Sequence, residues 1–174
     1  MSGQPGRYQR SAPGMIGAML ILLAVVVGFV LLRDLNRADP ESPVRAIDYQ
    51  RTVDFASEQA DFDILAPESL PAGWKATTAG FTPDPGDWHL GVLTDRGRYV
   101  GIEQSTRSAR SMLETYVDPS PTRAGTVTID GARWQKWTDP GGDIALVRTR
   151  GEVTTLVVGT AEQDVLVDYI ESLR

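Results

Sequence analysis

His89 is the single histidine of the chain, and there is no cysteine. Imidazole is the side chain best suited to moving protons near neutral pH. With no second histidine and no cysteine, the usual zinc sets, cysteine nucleophiles and Ser-His-Asp triads cannot all be assembled. Beside Trp88 in an alternating stretch, His89 therefore reads as an ordinary strand residue. Carboxylates are the other source of acid–base chemistry, and a glycosidase-type site needs two of them converging. The close groups are Asp61 with Asp63, Asp84 with Asp87, and Asp139 with Asp143. Two of the three fall in Pro/Gly turns, where Asp is favoured because its side chain bonds nearby backbone amides. Pro83-Asp84-Pro85-Gly86-Asp87 lacks the ordered oxygen ligands of a calcium loop, and no phosphate-cradling glycine loop, dinucleotide fingerprint or Gly-x-Ser-x-Gly elbow is present.

Four tryptophans remain as binding candidates: Trp74, Trp88, Trp134 and Trp137. Tryptophan serves both as core area and as an anchor at binding surfaces. Trp134 and Trp137 are three positions apart, so on one strand they point to opposite faces. One can enter a core while the other faces outward. Trp88 and Trp137 are the candidates for an exposed binding surface. No catalytic residue, metal ligand or cofactor site is expected.

The elements that must position these residues follow from periodicity. Ser42-Pro43 reads as a helix start, and Ala46, Tyr49, Val53, Ala56 and Ala60 lie on one face of a helix from about 44 to 60. From Asp61 the period becomes two, giving a short strand to Ala66 that Pro67 and Leu70-Pro71-Ala72-Gly73 end. Further strands are expected at 74–80, 87–94, 98–105, 125–130, 133–138, 143–149 and 152–159. Helices are expected over 107–117 and after Thr160-Ala161-Glu162-Gln163, which reads as a capping box. Leu93-Thr94-Asp95-Arg96-Gly97 aligns with Val147-Arg148-Thr149-Arg150-Gly151, 54 positions on, so a hairpin-then-helix unit appears twice. The expected architecture is α+β: an antiparallel sheet of about seven or eight strands packed with helices, with a possible pseudo-twofold repeat.

Ahead of this domain, Met15–Leu32 is a run of 18 residues without a charged or polar side chain. As a helix it extends roughly 27 Å, close to the hydrocarbon thickness of a bilayer. The expected organisation is a cytoplasmic tail (1–14), a transmembrane helix (15–32), a linker (33–45) and an extracytoplasmic domain (46–174). The amino-terminal flank carries Arg7 and Arg10 and no acid, which places it inside as a signal anchor. Residues 46–174 hold ten Arg and two Lys against twenty Asp and Glu, a net charge of −8. So acidic a domain repels nucleic acid and anionic headgroups.

The stretch Ile64-Leu65-Ala66-Pro67 followed by Leu70-Pro71-Ala72-Gly73-Trp74 resembles the opening of an actinobacterial family, domain of unknown function 4245. Trp88 with Gly91, Tyr99-Val100-Gly101-Ile102 with Gln104-Ser105, Trp134 with Trp137, and the closing strand and helix from Leu156 extend the likeness. The resemblance includes the single amino-terminal membrane segment. It implies a membrane-anchored protein of GC-rich Gram-positive bacteria and no particular activity.

The expected function is a non-catalytic binding or interaction module held on the outer face of the cytoplasmic membrane. Its partner would be an envelope protein or a small or lipidic ligand, not nucleic acid. The alternative is a carboxylate-dependent envelope hydrolase, for example on a cell-wall polysaccharide.

Overall fold

Alternation of apolar and polar residues between Lys75 and Gly159 resolves into seven strands, all in one antiparallel sheet. The computed structural model describes residues 45–174 and, in the amino-terminal stretch, residues 16, 17, 19, 21–23 and 25–28. The expected tail, Ser42-Pro43 and the linker apart from Arg45 lie outside the described residues. The expected span lies partly outside them. Its described residues are helical, and Ile16, Met19, Leu22 and Val25 among them are exposed. No helix among the described residues is long and apolar enough to cross a membrane.

Val44–Arg174 forms one compact unit. Its elements are α1 (Gln50–Gln59), β1 (Lys75–Thr82), β2 (Asp87–Leu93), β3 (Tyr99–Ser105), α2 (Ala109–Tyr116), β4 (Thr122–Ile129), β5 (Ala132–Thr138), β6 (Ile144–Arg150), β7 (Val153–Gly159) and α3 (Gln163–Glu171). The strand order is β1-β2-β3-β7-β6-β5-β4. β3 and β7, which are 54 positions apart in sequence, lie side by side, and each is followed by a helix. The architecture is therefore α+β, as the periodicity predicts.

Strand alternation divides the core in two. Trp88, Leu90, Val92, Val100, Ile102, Trp134, Leu146 and Val157 point to a first face, where Tyr49 and Ala56 from α1 and its cap meet Leu166, Tyr169 and Ile170 from α3. On the second face Ala145, Val147, Leu156 and Val158 pack against Met112 and Leu113 of α2. Burying such aliphatic and aromatic side chains contributes about 1.5–3 kcal/mol each. Over β1–β3 the second face carries polar side chains instead, and this asymmetry sets up the site described below.

Three expected elements are corrected. The first helix starts at Gln50, not near 44: Ile47 N–H bonds Ala76 C=O at 3.0 Å, so this stretch lies along β1 instead of winding into a helix. Asp61–Ala66 is not a strand, although an isolated bridge joins Pro67 to Leu173. Its backbone is satisfied by other groups: Gln104 accepts from Leu65 N–H at 2.7 Å and donates to Asp63 C=O at 3.1 Å, while Trp88 Nε1–H donates to Leu65 C=O at 3.1 Å. The capping box does not form either. α3 begins three residues later, and Thr160 Oγ1 accepts from Tyr99 N–H at 3.0 Å.

Candidate functional site

The polar half of the second face is assembled by strand register. β1 and β2 pair normally to Ala76↔Val92, then shift so that Thr78 faces Gly91. The extra residue is Thr77, a bulge that turns Thr78 onto the face shared by Gly91 and His89. On the far side of β2, His89 faces Glu103 of β3. Three side chains from three adjacent strands thus meet in a row. Thr78 Oγ1 is 2.7 Å from His89 Nε2, and His89 Nδ1 is hydrogen-bonded to Glu103 Oε1. In the tautomer where Nδ1–H donates to Glu103, Nε2 accepts the Thr78 hydroxyl proton.

Glycines make room for this row. A Cβ at Gly91 would stand 2.6 Å from Thr78 Oγ1, so a larger residue would displace the hydroxyl. The Tyr99 side chain lies over both Gly91 and Gly101, where a Cβ would approach its hydroxyl to 3.0 and 2.5 Å. Burial pushes the Tyr99 phenol up to about 12, with the nearby Glu103 charge adding to the effect.

Exposure runs along the row. Thr78 is exposed, the His89 side chain is 34% exposed and Glu103 only 3%. Burial raises the Glu103 carboxyl above its ordinary range, and the hydrogen bond and charge of His89 offset part of that rise. Glu103 Oε2 is buried, and the Tyr116 hydroxyl adds to His89 in favouring the carboxylate. Beside it Arg107 Nη2 donates to Asp87 Oδ2 and to Tyr116 Oη, each at 3.1 Å, while Ser105 Oγ donates to Asp87 Oδ1.

A second site lies where α2 meets β5. Leu113, Pro119, Pro121 and Trp137 wall a groove of about 500 Å³ whose remaining lining includes Arg110, Glu114, Ser120 and Gln135. Trp137 packs against the cluster of Met112 and Leu113 while staying partly exposed. A concave apolar wall with polar groups at hand suits an amphipathic ligand, and the volume falls within the usual range for small-molecule sites.

The model of a family described as protein of unknown function (DUF4245) matches residues 7–173. The chain belongs to this family. No curated protein and no solved structure matches it. For this DUF4245 chain, membership establishes the extent of the shared unit and leaves function to the geometry.

The two tryptophans singled out from the sequence part company here. Trp88 is 0% exposed, so it is removed from any binding surface: β2 alternation places it with Leu90 and Val92 in the first-face core. Trp137 lines the groove, and Trp134 on the opposite face is core at 4% exposed. The paired carboxylates fare differently. Asp61 and Asp63 are exposed, Asp139 and Asp143 stay close with Asp139 Oδ1 accepting from Asp143 N–H in a turn, and Asp84 is exposed while Asp87 is bound to Arg107. Among the described residues no three His, Asp or Glu side chains are grouped to hold a metal ion. His89, read from the sequence as an ordinary strand residue, has a hydroxyl and a carboxylate on its two ring nitrogens. The sequence signal was a lone Glu within the otherwise uncharged β3, Tyr-Val-Gly-Ile-Glu-Gln-Ser.

Proposed function

We propose that this chain is a single-pass, membrane-anchored, extracytoplasmic binding module of the bacterial envelope, whose Trp137 groove holds a small amphipathic ligand without transforming it. The observation that carries this reading is the groove: the Trp137 ring and Leu113 form an apolar wall, and Arg110, Glu114 and Gln135 offer polar groups to a headgroup. The anchor is supported by the uninterrupted apolar run Met15–Leu32. A tether at the membrane surface would keep such a groove close to a supply of lipidic ligands. The net charge of −8 over residues 46–174 disfavours nucleic acid and anionic surfaces as partners.

Hydrolysis by two carboxylates has weaker support. Asp87 and Glu103 lie on one face of the sheet, but the first is committed to Arg107 and Ser105 and the second to His89. The test of the favoured reading is mass spectrometry of what the purified, folded full-length protein carries, compared with a Trp137→Ala variant. A species retained by the parent and lost from the variant supports the reading. Identical spectra count against it. A protein captured at the groove in place of a small molecule would turn the ligand class from lipid to polypeptide.

A further inference from the structure

The row Thr78–His89–Glu103 lies outside the Trp137 groove and is not needed for ligand binding there. We infer that Thr78 Oγ1 is a nucleophile for acyl transfer from simple esters, with His89 as its general base and Glu103 as the positioning residue. The geometry is that of nucleophile, base and orienter in sequence: a hydroxyl 2.7 Å from Nε2, and a carboxylate bonded to Nδ1. Three further features fit this use better than a packing role. The Thr77 bulge spends an extra residue to bring Thr78 onto the histidine's face, and Gly91 leaves open the space that its hydroxyl occupies. Exposure is greatest at Thr78 and least at the orienter, Glu103. A carboxylate buried on a sheet face is costly in a domain that could place an apolar residue there.

In the step this implies, Thr78 Oγ1 forms a bond to the ester carbonyl carbon as its proton passes to His89 Nε2. The tetrahedral intermediate collapses and the bond to the alkoxy oxygen breaks. That oxygen takes the proton from His89 and leaves as an alcohol. Water then gives a proton to His89 and attacks the acyl-threonine carbonyl, and the proton returns to Thr78 as the carboxylic acid departs. The net reaction is ester plus water to acid plus alcohol. Glu103 holds the imidazole in the tautomer whose Nε2 is free to accept a proton.

The test uses the full-length protein and p-nitrophenyl acetate. The expected results are release of nitrophenol above buffer, an acetyl adduct on the peptide containing Thr78, and losses of about 100-fold in Thr78→Ala and His89→Gln, in line with a positioned base. Thr78→Ser should keep the activity. Glu103→Gln preserves an acceptor for Nδ1–H but removes the charge, so it should alter the pH profile of the rate, which a purely structural role would leave in place. Thr78 is exposed, so its alanine variant should melt with the parent. No rate above buffer in the folded parent, or an unchanged rate in Thr78→Ala, overturns the proposal. Neither result bears on the Trp137 groove.

Discussion

His89 on β2 and Glu103 on β3 face each other across the sheet, and the imidazole bonds a carboxylate that is only 2% exposed as a residue. Cross-strand pairs of this kind are the unit of sheet stabilisation, but one member here is an acid held away from water. Burial drives the Glu103 carboxyl upward from 4.5, and bonding to His89 only partly reverses this.

The sign of the resulting pH dependence follows from that rise. The folded state binds the Glu103 proton more tightly than the unfolded chain does. The associated stability is complete below 4.5 and is lost as pH climbs through the raised value in the folded protein. Relative to a Glu103→Gln variant, the parent should lose stability as pH rises from below 4.5. Paired thermal melts across that range check this. A constant difference between the two proteins would show that Glu103 titrates alike in the folded and unfolded states.

Gln104, beside that acid on β3, points to the other face and is 2% exposed. It bonds Leu65 N–H and Asp63 C=O, in the segment that follows α1 without forming a strand. Gln104→Ala leaves both groups without their partner, at about 1–3 kcal/mol for a buried unmet bond. Amide exchange at Leu65 should quicken well before exchange in β3 does. Unchanged protection at Leu65 would mean that another group holds the segment.

Gly159 on β7 faces the backbone of β3 with no room for a side chain. A Cβ there would collide with the Tyr99 carbonyl oxygen, and backbone cannot turn aside as a side chain can. Gly159→Ala should cost about 1–3 kcal/mol through forced displacement of β3. Urea unfolding measures it, and a neutral effect would contradict the packing described at the β3–β7 seam.

Trp134 and Trp137 give a paired test of the two faces. Trp134→Ala removes a ring that is 4% exposed and should cost about 3–5 kcal/mol. Trp137→Ala, at a partly exposed groove wall, should cost clearly less and leave a cooperative unfolding transition. Equal losses would place Trp137 in the core.

Orientation is open to direct chemistry because the chain has no cysteine. Ser57 is exposed on α1. In intact cells, Ser57→Cys should react with a membrane-impermeant maleimide if the domain lies outside. Labelling only after lysis would reverse the proposed topology.

Much of the fold was legible in local pattern. Period-two runs and Gly-containing turns marked the strands because each carries its own alternation. The errors share a cause. Asp61–Ala66 alternates like a strand, but its partners are the Gln104 amide and the Trp88 indole, about 40 and 20 residues away in sequence. Thr160 looked like a cap because its alternative partner, Tyr99 N–H, is 61 positions distant. The Thr78–His89–Glu103 row was hidden for the same reason: it depends on a bulge at Thr77 and on which strands pair, neither of which has a local signature. Trp88 and Trp137 could not be told apart without knowing which face each helix covers.

The central claim is that the Trp137 groove holds a small amphipathic ligand, and native mass spectrometry of the full-length protein from gently solubilised membranes tests it most directly. The parent should carry one amphiphile in a fixed ratio, and Trp137→Ala, still folded, should lose it while keeping whatever lipid adheres to the anchor. A parent and variant with the same bound species, or with none, would contradict the claim.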